Sequence, residues 1–205
     1  MPVEAKPLFR PDVLRAHVSG FALPPVDAAK LTHWSDEISS GRLDRFGEQE
    51  ILPQFLADFF VGLLGYRGPV GNQRYTIAFE RHVQVDGKFA DAVLGDFNGH
   101  PRFVVALEGK GPRDPLERPH AGRRMSAVDQ GYRYAINLPC DWIIVTSIRQ
   151  TRLYHKGSDQ QTYERFDTAD LAGDEAALRR FIFLLGAERV VPEAGACHFQ
   201  TLLAE

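Results

Sequence analysis

Cysteine is scarce in this chain of 205 residues: only Cys140 and Cys197 are present, with neither a Cys-x-x-Cys pair nor Cys/His ligand spacing. Neither a zinc site nor a disulfide framework is therefore expected. Long apolar runs are missing as well, so no membrane-spanning helix is read. Met1 to Lys6 lack the apolar stretch of a secretory signal, and a cytoplasmic protein is the expectation. No Gly-rich loop ends in Gly-Lys-Ser/Thr, which argues against nucleotide binding through a P-loop, and Gly95 to Gly99 reads as a turn. His33, His82 and His155 stand isolated, and no Ser-His-Asp arrangement can be argued. Internal repeats and low-complexity stretches are absent. A basic excess is lacking too: 24 Lys and Arg against 27 Asp and Glu leave a net charge of −3, so bulk charge does not announce a nucleic-acid binder.

What is present begins with a hydrophobic content of 44%, enough for a proper core and one domain with an appended helical segment. The run from Phe103 to Leu107 is apolar at every position, as in a central strand covered on both faces. It ends in Glu108-Gly109-Lys110, where period-2 geometry points Glu108 and Lys110 the same way, and Gly111-Pro112 stops the strand. Upstream, Phe89 to Leu94 is a second short apolar run carrying Asp91, after a turn signal at Asp86-Gly87. Paired as a hairpin, the two strands would bring Asp91 beside Glu108 with Lys110 nearby. Hard oxygen ligands of this kind suit Mg²⁺ or Mn²⁺ set against a phosphate, with the lysine neutralising developing charge. Taken alone, an Asp…Glu-x-Lys match with free spacing is a weak motif, and such charges also serve solvated surfaces.

Along the chain, Pro-led helices are expected over residues 11–18 and 25–39, and a longer one over 49–64, stopped by Gly65. Pro53 suits that helix if it lies in the first turn. Strands follow over 75–85, 89–95 and 102–108, then a helix over 124–137 and strands over 142–147 and 152–155. Between Lys110 and that helix, a Pro- and Gly-rich loop holds Arg113, Arg118, His120, Arg123 and Arg124 against Asp114 and Glu117. The surplus points to phosphate contacts or to a solvated loop. A helix over 174–185 comes next, and a further element over 198–203 reads as a frayed tail or as the start of more chain.

Gln130 and Tyr134, at i and i+4 of the helix over 124–137, form a Gln-x-x-x-Tyr pattern. In order with Asp91, Glu108-Gly109-Lys110, the strand from Trp142 to Ser147 and Arg152-Leu153-Tyr154, it resembles the PD-(D/E)xK nuclease superfamily. The likeness is to the N-terminal cleavage domains of Type IIG restriction-modification enzymes and to the nuclease domain of Type I restriction subunits. It spans residues 47–166, with Ala90 where the family has proline.

The resemblance implies an α/β fold with a restriction-endonuclease-like core of order αβββαβ. Residues 1–46 would be an N-terminal helical segment, 47–170 the core and 171–205 a helical segment leading to further domains. Asp91 and Glu108 would hold Mg²⁺ or Mn²⁺, joined by an acidic residue of the first core helix, Glu48 in preference to Glu50. Lys110 would be the catalytic lysine and Gln130 a support for the site or the DNA backbone, while Tyr134 is either core or site. The implied function is a Mg²⁺-dependent endonuclease cutting double-stranded DNA, with Arg113, Arg118, Arg123 and Arg124 as candidate DNA contacts. Methyltransferase and target-recognition domains would lie further along the same polypeptide. Two other readings stay open: a non-catalytic nucleic-acid-binding or scaffolding module, and a nuclease of the same fold acting on RNA or on single-stranded or branched DNA.

Overall fold

A computed structural model of the chain describes residues 5–82, 89–120 and 122–205. The turn expected at Asp86-Gly87 and the end of the first strand over 83–85 lie outside the described residues. Three helices lead in: α1 (Pro11–Ser19), α2 (Ala28–Ser39) and α3 (Glu48–Phe55). Helix α2 begins later than its prolines suggest because the Asp27 carboxylate accepts the Lys30 N–H at 3.0 Å and sets the cap there. Helix α3 does not continue regularly to residue 64. It widens into a π-helix over Leu56–Leu63, where Leu64 N–H reaches back to the Phe59 carbonyl at 2.8 Å. This wider winding keeps Phe55, Leu56, Phe59 and Phe60 together in the core. Pro53 lies inside α3 rather than in its first turn, on the exposed side of the helix.

Six strands then form one mixed sheet whose spatial order equals chain order: β1 (Ile77–His82), β2 (Phe89–Asp96), β3 (Arg102–Gly109), β4 (Trp142–Thr146), β5 (Gln150–His155) and β6 (Glu164–Asp167). The protein is thus α/β, a six-stranded mixed sheet flanked by helices. Only β3 and β4 run parallel, and the crossover between them is α4 (Ala127–Asn137). Helix α4 starts at Ala127 because Ser126 and Asp129 cap it reciprocally, the Ser126 hydroxyl oxygen accepting the Asp129 N–H at 3.0 Å. Strand β6 is absent from the expected elements: Glu164 to Asp167 offers one apolar side chain, Phe166, and too little alternation to be read.

The two faces of the sheet are covered differently. Against one face pack α1 to α3 together with α5 (Glu175–Leu185), α6 (Ala187–Val190) and α7 (His198–Ala204). The other face carries α4 and buries Val93, Ala106, Ile143, Val145 and Tyr154 against Val128, Tyr134, Ala135 and Leu138. The element over 198–203 is no frayed tail. Phe199 is fully buried, with its ring 4.8 Å from that of Trp142 and 6.1 Å from that of Phe9. One apolar cluster therefore joins residues from all three of the segments drawn from the sequence.

Because that ring fills a close-packed interior, Phe199→Ala should destabilise the fold by about 3–5 kcal/mol. Leu203→Ala, on the exposed side of the same helix, should cost less than about 0.5 kcal/mol. Chemical denaturation of the two variants against the unmodified chain checks the contrast.

Candidate active site

The β2 and β3 ladder ends at Ala92 opposite Leu107, so the next N–H on that side of β3, that of Gly109, has no strand carbonyl to meet. The Asp91 carboxylate takes it instead, Oδ2 accepting at 2.7 Å. Asp91 follows the alternation of Val93, and Glu108 that of Ala106, which places both carboxyl groups on the face under α4. They are close enough for the charge of Asp91 to act on Glu108. Lys110 keeps the extended register one residue beyond β3, since its N–H donates to the Thr146 carbonyl of β4 at 2.8 Å. Its ammonium lies 2.5 Å from Glu108 Oε1 and 3.4 Å from Glu48 Oε1. Asp91, Glu108 and Lys110 thus meet at the carboxyl ends of the parallel strands, the customary ligand crevice of open α/β sheets.

Helix α3 brings the third carboxylate through two close approaches. A Cβ on Gly109 would stand 2.5 Å from Leu52 Cδ1, so a larger residue there would force the Leu52 side chain of α3 to move. Gly111 packs on the first turn of the same helix, where a Cβ would meet Glu48 N at 3.4 Å. Glu48, the first residue of α3, therefore faces Lys110. Glu50 does not, because its Oε2 accepts the Gly47 N–H at 2.6 Å and caps the helix.

Burial governs the electrostatics. Glu108 is 2% exposed and Lys110 6%. Loss of water pushes Glu108 up to about 8, with Lys110 pulling it back and Asp91 adding to the rise. Asp91 is raised for the same first reason, against the pull of Lys110 and of the Gly109 N–H. Burial alone would lower Lys110, but Glu108, Asp91 and Glu48 outweigh it and hold the ammonium charged beyond its ordinary range.

Gln130 and Tyr134 share a face of α4, but the structure treats them unequally. Gly131 beside them lets the helix sit on the sheet, where a Cβ would meet Ile143 Cγ2 at 2.8 Å. Tyr134 is buried in the apolar cluster, and its hydroxyl is raised by burial and then by the charges of Glu108 and Asp91. Gln130 is half-buried and its amide donates to the Met125 carbonyl at 3.5 Å. Among the described residues no hydrogen bond joins it to Asp91, Glu108 or Lys110.

The loop after Lys110 is built around anchors that the sequence does not advertise. Leu116 is fully buried at a φ of 65°, a left-handed conformation costing a branched residue about 1–2 kcal/mol. Next to it, Glu117 pairs at 2.5 Å with Arg152, a guanidinium 3% exposed on β5 that also donates to Gln150 and lies 4.7 Å from the Tyr163 ring centre. In the sequence Arg152 belongs to the Arg152-Leu153-Tyr154 motif, and no local signal marks it as the anchor of a loop. Arg123 is spent on Asp114 and on the His120 carbonyl. Arg113, Arg118 and Arg124 are exposed. Phe46, Glu48, Arg113, His120 and Arg123 line one open cleft of about 260 Å³ beside the carboxylates.

As donors, Asp91, Glu108 and Glu48 suit a hard divalent cation, all being carboxylate oxygens at a place where burial demands positive charge. In the present geometry Glu108 and Glu48 converge on the Lys110 ammonium and Asp91 on the Gly109 N–H: among the described residues no three His, Cys, Asp or Glu side chains are arranged to hold a metal. Comparison with protein-family models, curated proteins and solved structures finds no match to this chain.

With the Glu108 carboxyl raised, the native state keeps a proton that the unfolded chain releases near its ordinary value of 4.5. Stability at this residue is therefore fully present below 4.5 and declines as pH rises toward 8, where it levels. Glu108→Gln should remove most of that decline, as denaturant midpoints measured from pH 5 to pH 9 would show.

Proposed function

We propose that this chain is a Mg²⁺- or Mn²⁺-dependent endonuclease of the PD-(D/E)xK superfamily, with a restriction-endonuclease-like core, that hydrolyses phosphodiester bonds of double-stranded DNA. The observation that carries the reading is the meeting of Asp91, Glu108 and Lys110 on one face at the end of β3, with Glu48 delivered to them by α3. It is supported further by the order α3, β1 to β3, α4, β4, which is the order of that core.

A bound divalent cation supplies Lewis acidity and a polarised water. Asp91, Glu108 and Glu48 would hold it. Lys110 contributes a fixed positive charge where negative charge develops on the phosphate, in a setting that excludes most water. The exposed Arg113, Arg118 and Arg124 extend positive charge along the loop and suit backbone phosphates, not base edges. A net charge of −3 suits a cleavage unit that borrows its affinity and sequence preference from recognition and methyltransferase domains of the same polypeptide.

A plasmid-nicking assay with Mg²⁺ tests the reading. Lys110→Ala and Glu108→Ala should each lower cleavage by about 10²-fold or more, as the loss of one charge-stabilising group does. Without a divalent cation, Lys110→Ala should leave DNA affinity nearly unchanged, because the lysine acts mainly on the transition state. Cleavage at the unmodified rate by either variant would overturn the assignment, and RNA or branched DNA cut in preference to duplex would redirect it.

Replacing Arg113, Arg118 and Arg124 together by alanine should weaken DNA binding alike on all sequences. It should also flatten the slope of log affinity against log salt by roughly three, about one per lost phosphate contact. Fluorescence anisotropy across a salt series measures both.

A further inference from the structure

The Lys110 ammonium is gathered by the same oxygens that would serve a metal. It stands 2.5 Å from Glu108 Oε1 and 3.4 Å from Glu48 Oε1, and its charge draws Asp91 down against the effect of burial. Lys110 is also too constrained to be a bystander. Its backbone is fixed to Thr146 at 2.8 Å, it is 6% exposed, and Gly111 and Pro112 behind it are packed against α3 and the loop. A small dication entering among these carboxylates meets an ammonium already there, and two cations within one carboxylate shell repel strongly in so dry a setting.

We infer that Lys110 is the resident counter-ion of the carboxylate cluster and that a divalent cation binds only by displacing its ammonium from Glu108, which turns the lysine outward toward the cleft lined by Arg113 and His120. The inference rests on the cation-dependent reading of the site and adds its order of events. The cation enters first, and its entry is what frees Lys110 for a substrate phosphate. Cation and phosphate binding are therefore coupled in the positive sense, each favouring the state the other requires. Without the dication, Lys110 stays closed on Glu108 and the buried acids remain neutralised. Metal affinity is held down by the lysine itself, so that occupancy is secured when substrate phosphate adds its own oxygens.

Calorimetry with Mn²⁺ on the whole chain tests this without any cleavage. Lys110→Met should bind Mn²⁺ roughly tenfold more tightly than the unmodified chain, within the usual span of coupling between sites. It should also lose the gain in DNA affinity that Ca²⁺ brings to the unmodified chain. A second measurement needs no variant: reductive methylation followed by peptide mass spectrometry should show Lys110 slow to react in chelator and several-fold faster in Mn²⁺, with Lys30 and Lys156 unchanged. Equal or weaker Mn²⁺ binding by Lys110→Met, or a Lys110 methylation rate indifferent to Mn²⁺, overturns the displacement while leaving a cation site standing. No Mn²⁺ binding by either protein overturns the inference together with the cation-dependent reading. Should Lys110→Met fail to fold, the methylation rates decide alone.

Discussion

A carboxylic acid at the end of a central strand, stripped of water, is the constraint around which this molecule is arranged. Glu108 sits at 2% exposure between two buried strands, and an ionised group there is tolerated only with compensation. Lys110 answers it directly, Asp91 spends an oxygen on the Gly109 N–H, and Glu48 completes the cluster from outside the sheet. Such an arrangement contributes little to stability compared with an apolar replacement of equal volume, because the cost of removing charges from water nearly cancels their attraction. Its retention in the best-covered part of the fold is reason to look there for chemistry.

Geometry around that acid depends on backbone approach as much as on side chains. Gly109 admits Leu52, Gly111 admits the first turn of α3, and Gly131 admits Ile143. Each of these contacts sets the distance between a helix and the strand that bears the carboxylate. The core on one face and the site on the other are therefore adjusted together, since the same helix that seals Leu52 and Phe55 also positions Glu48.

Much of this was legible in the sequence, and the reasons differ by element. The apolar continuity of Phe103 to Leu107 identified β3 as covered on both faces, and period-2 geometry placed Glu108 and Lys110 on one side. Helices α2 and α4 were found but begun too early, because the residues that start them are caps, Asp27 and Ser126, and not prolines or the first apolar side chain. The widening after Phe55 was not readable, since a π-helix presents nearly the apolar pattern of a regular one. Strand β6 escaped because its pairing with β5, not its composition, makes it a strand. At the site, Glu48 was only slightly preferred to Glu50 from the sequence; a backbone N–H three residues before Glu50 separates them. Gln130 joined the candidates through the family resemblance, and its spacing to Tyr134 says which residues share a helix face without saying how far a side chain reaches.

The loop between β3 and α4 divides its labour in a way that bears on how such a chain changes over generations. Within it, Leu116 is committed to the core, where altering it would cost the fold, and the exposed Glu117 beside it is held by Arg152. Its outward residues, Arg113, Arg118 and Arg124, hang from those anchors and support nothing else. Substitution at the outer positions is thus nearly free of structural penalty, and the loop can be rewritten to suit a different binding surface while the acids behind it stay where they are. Innovation in what this edge of the protein touches is uncoupled from the upkeep of the chemistry beneath it, a separation that rests on one buried guanidinium.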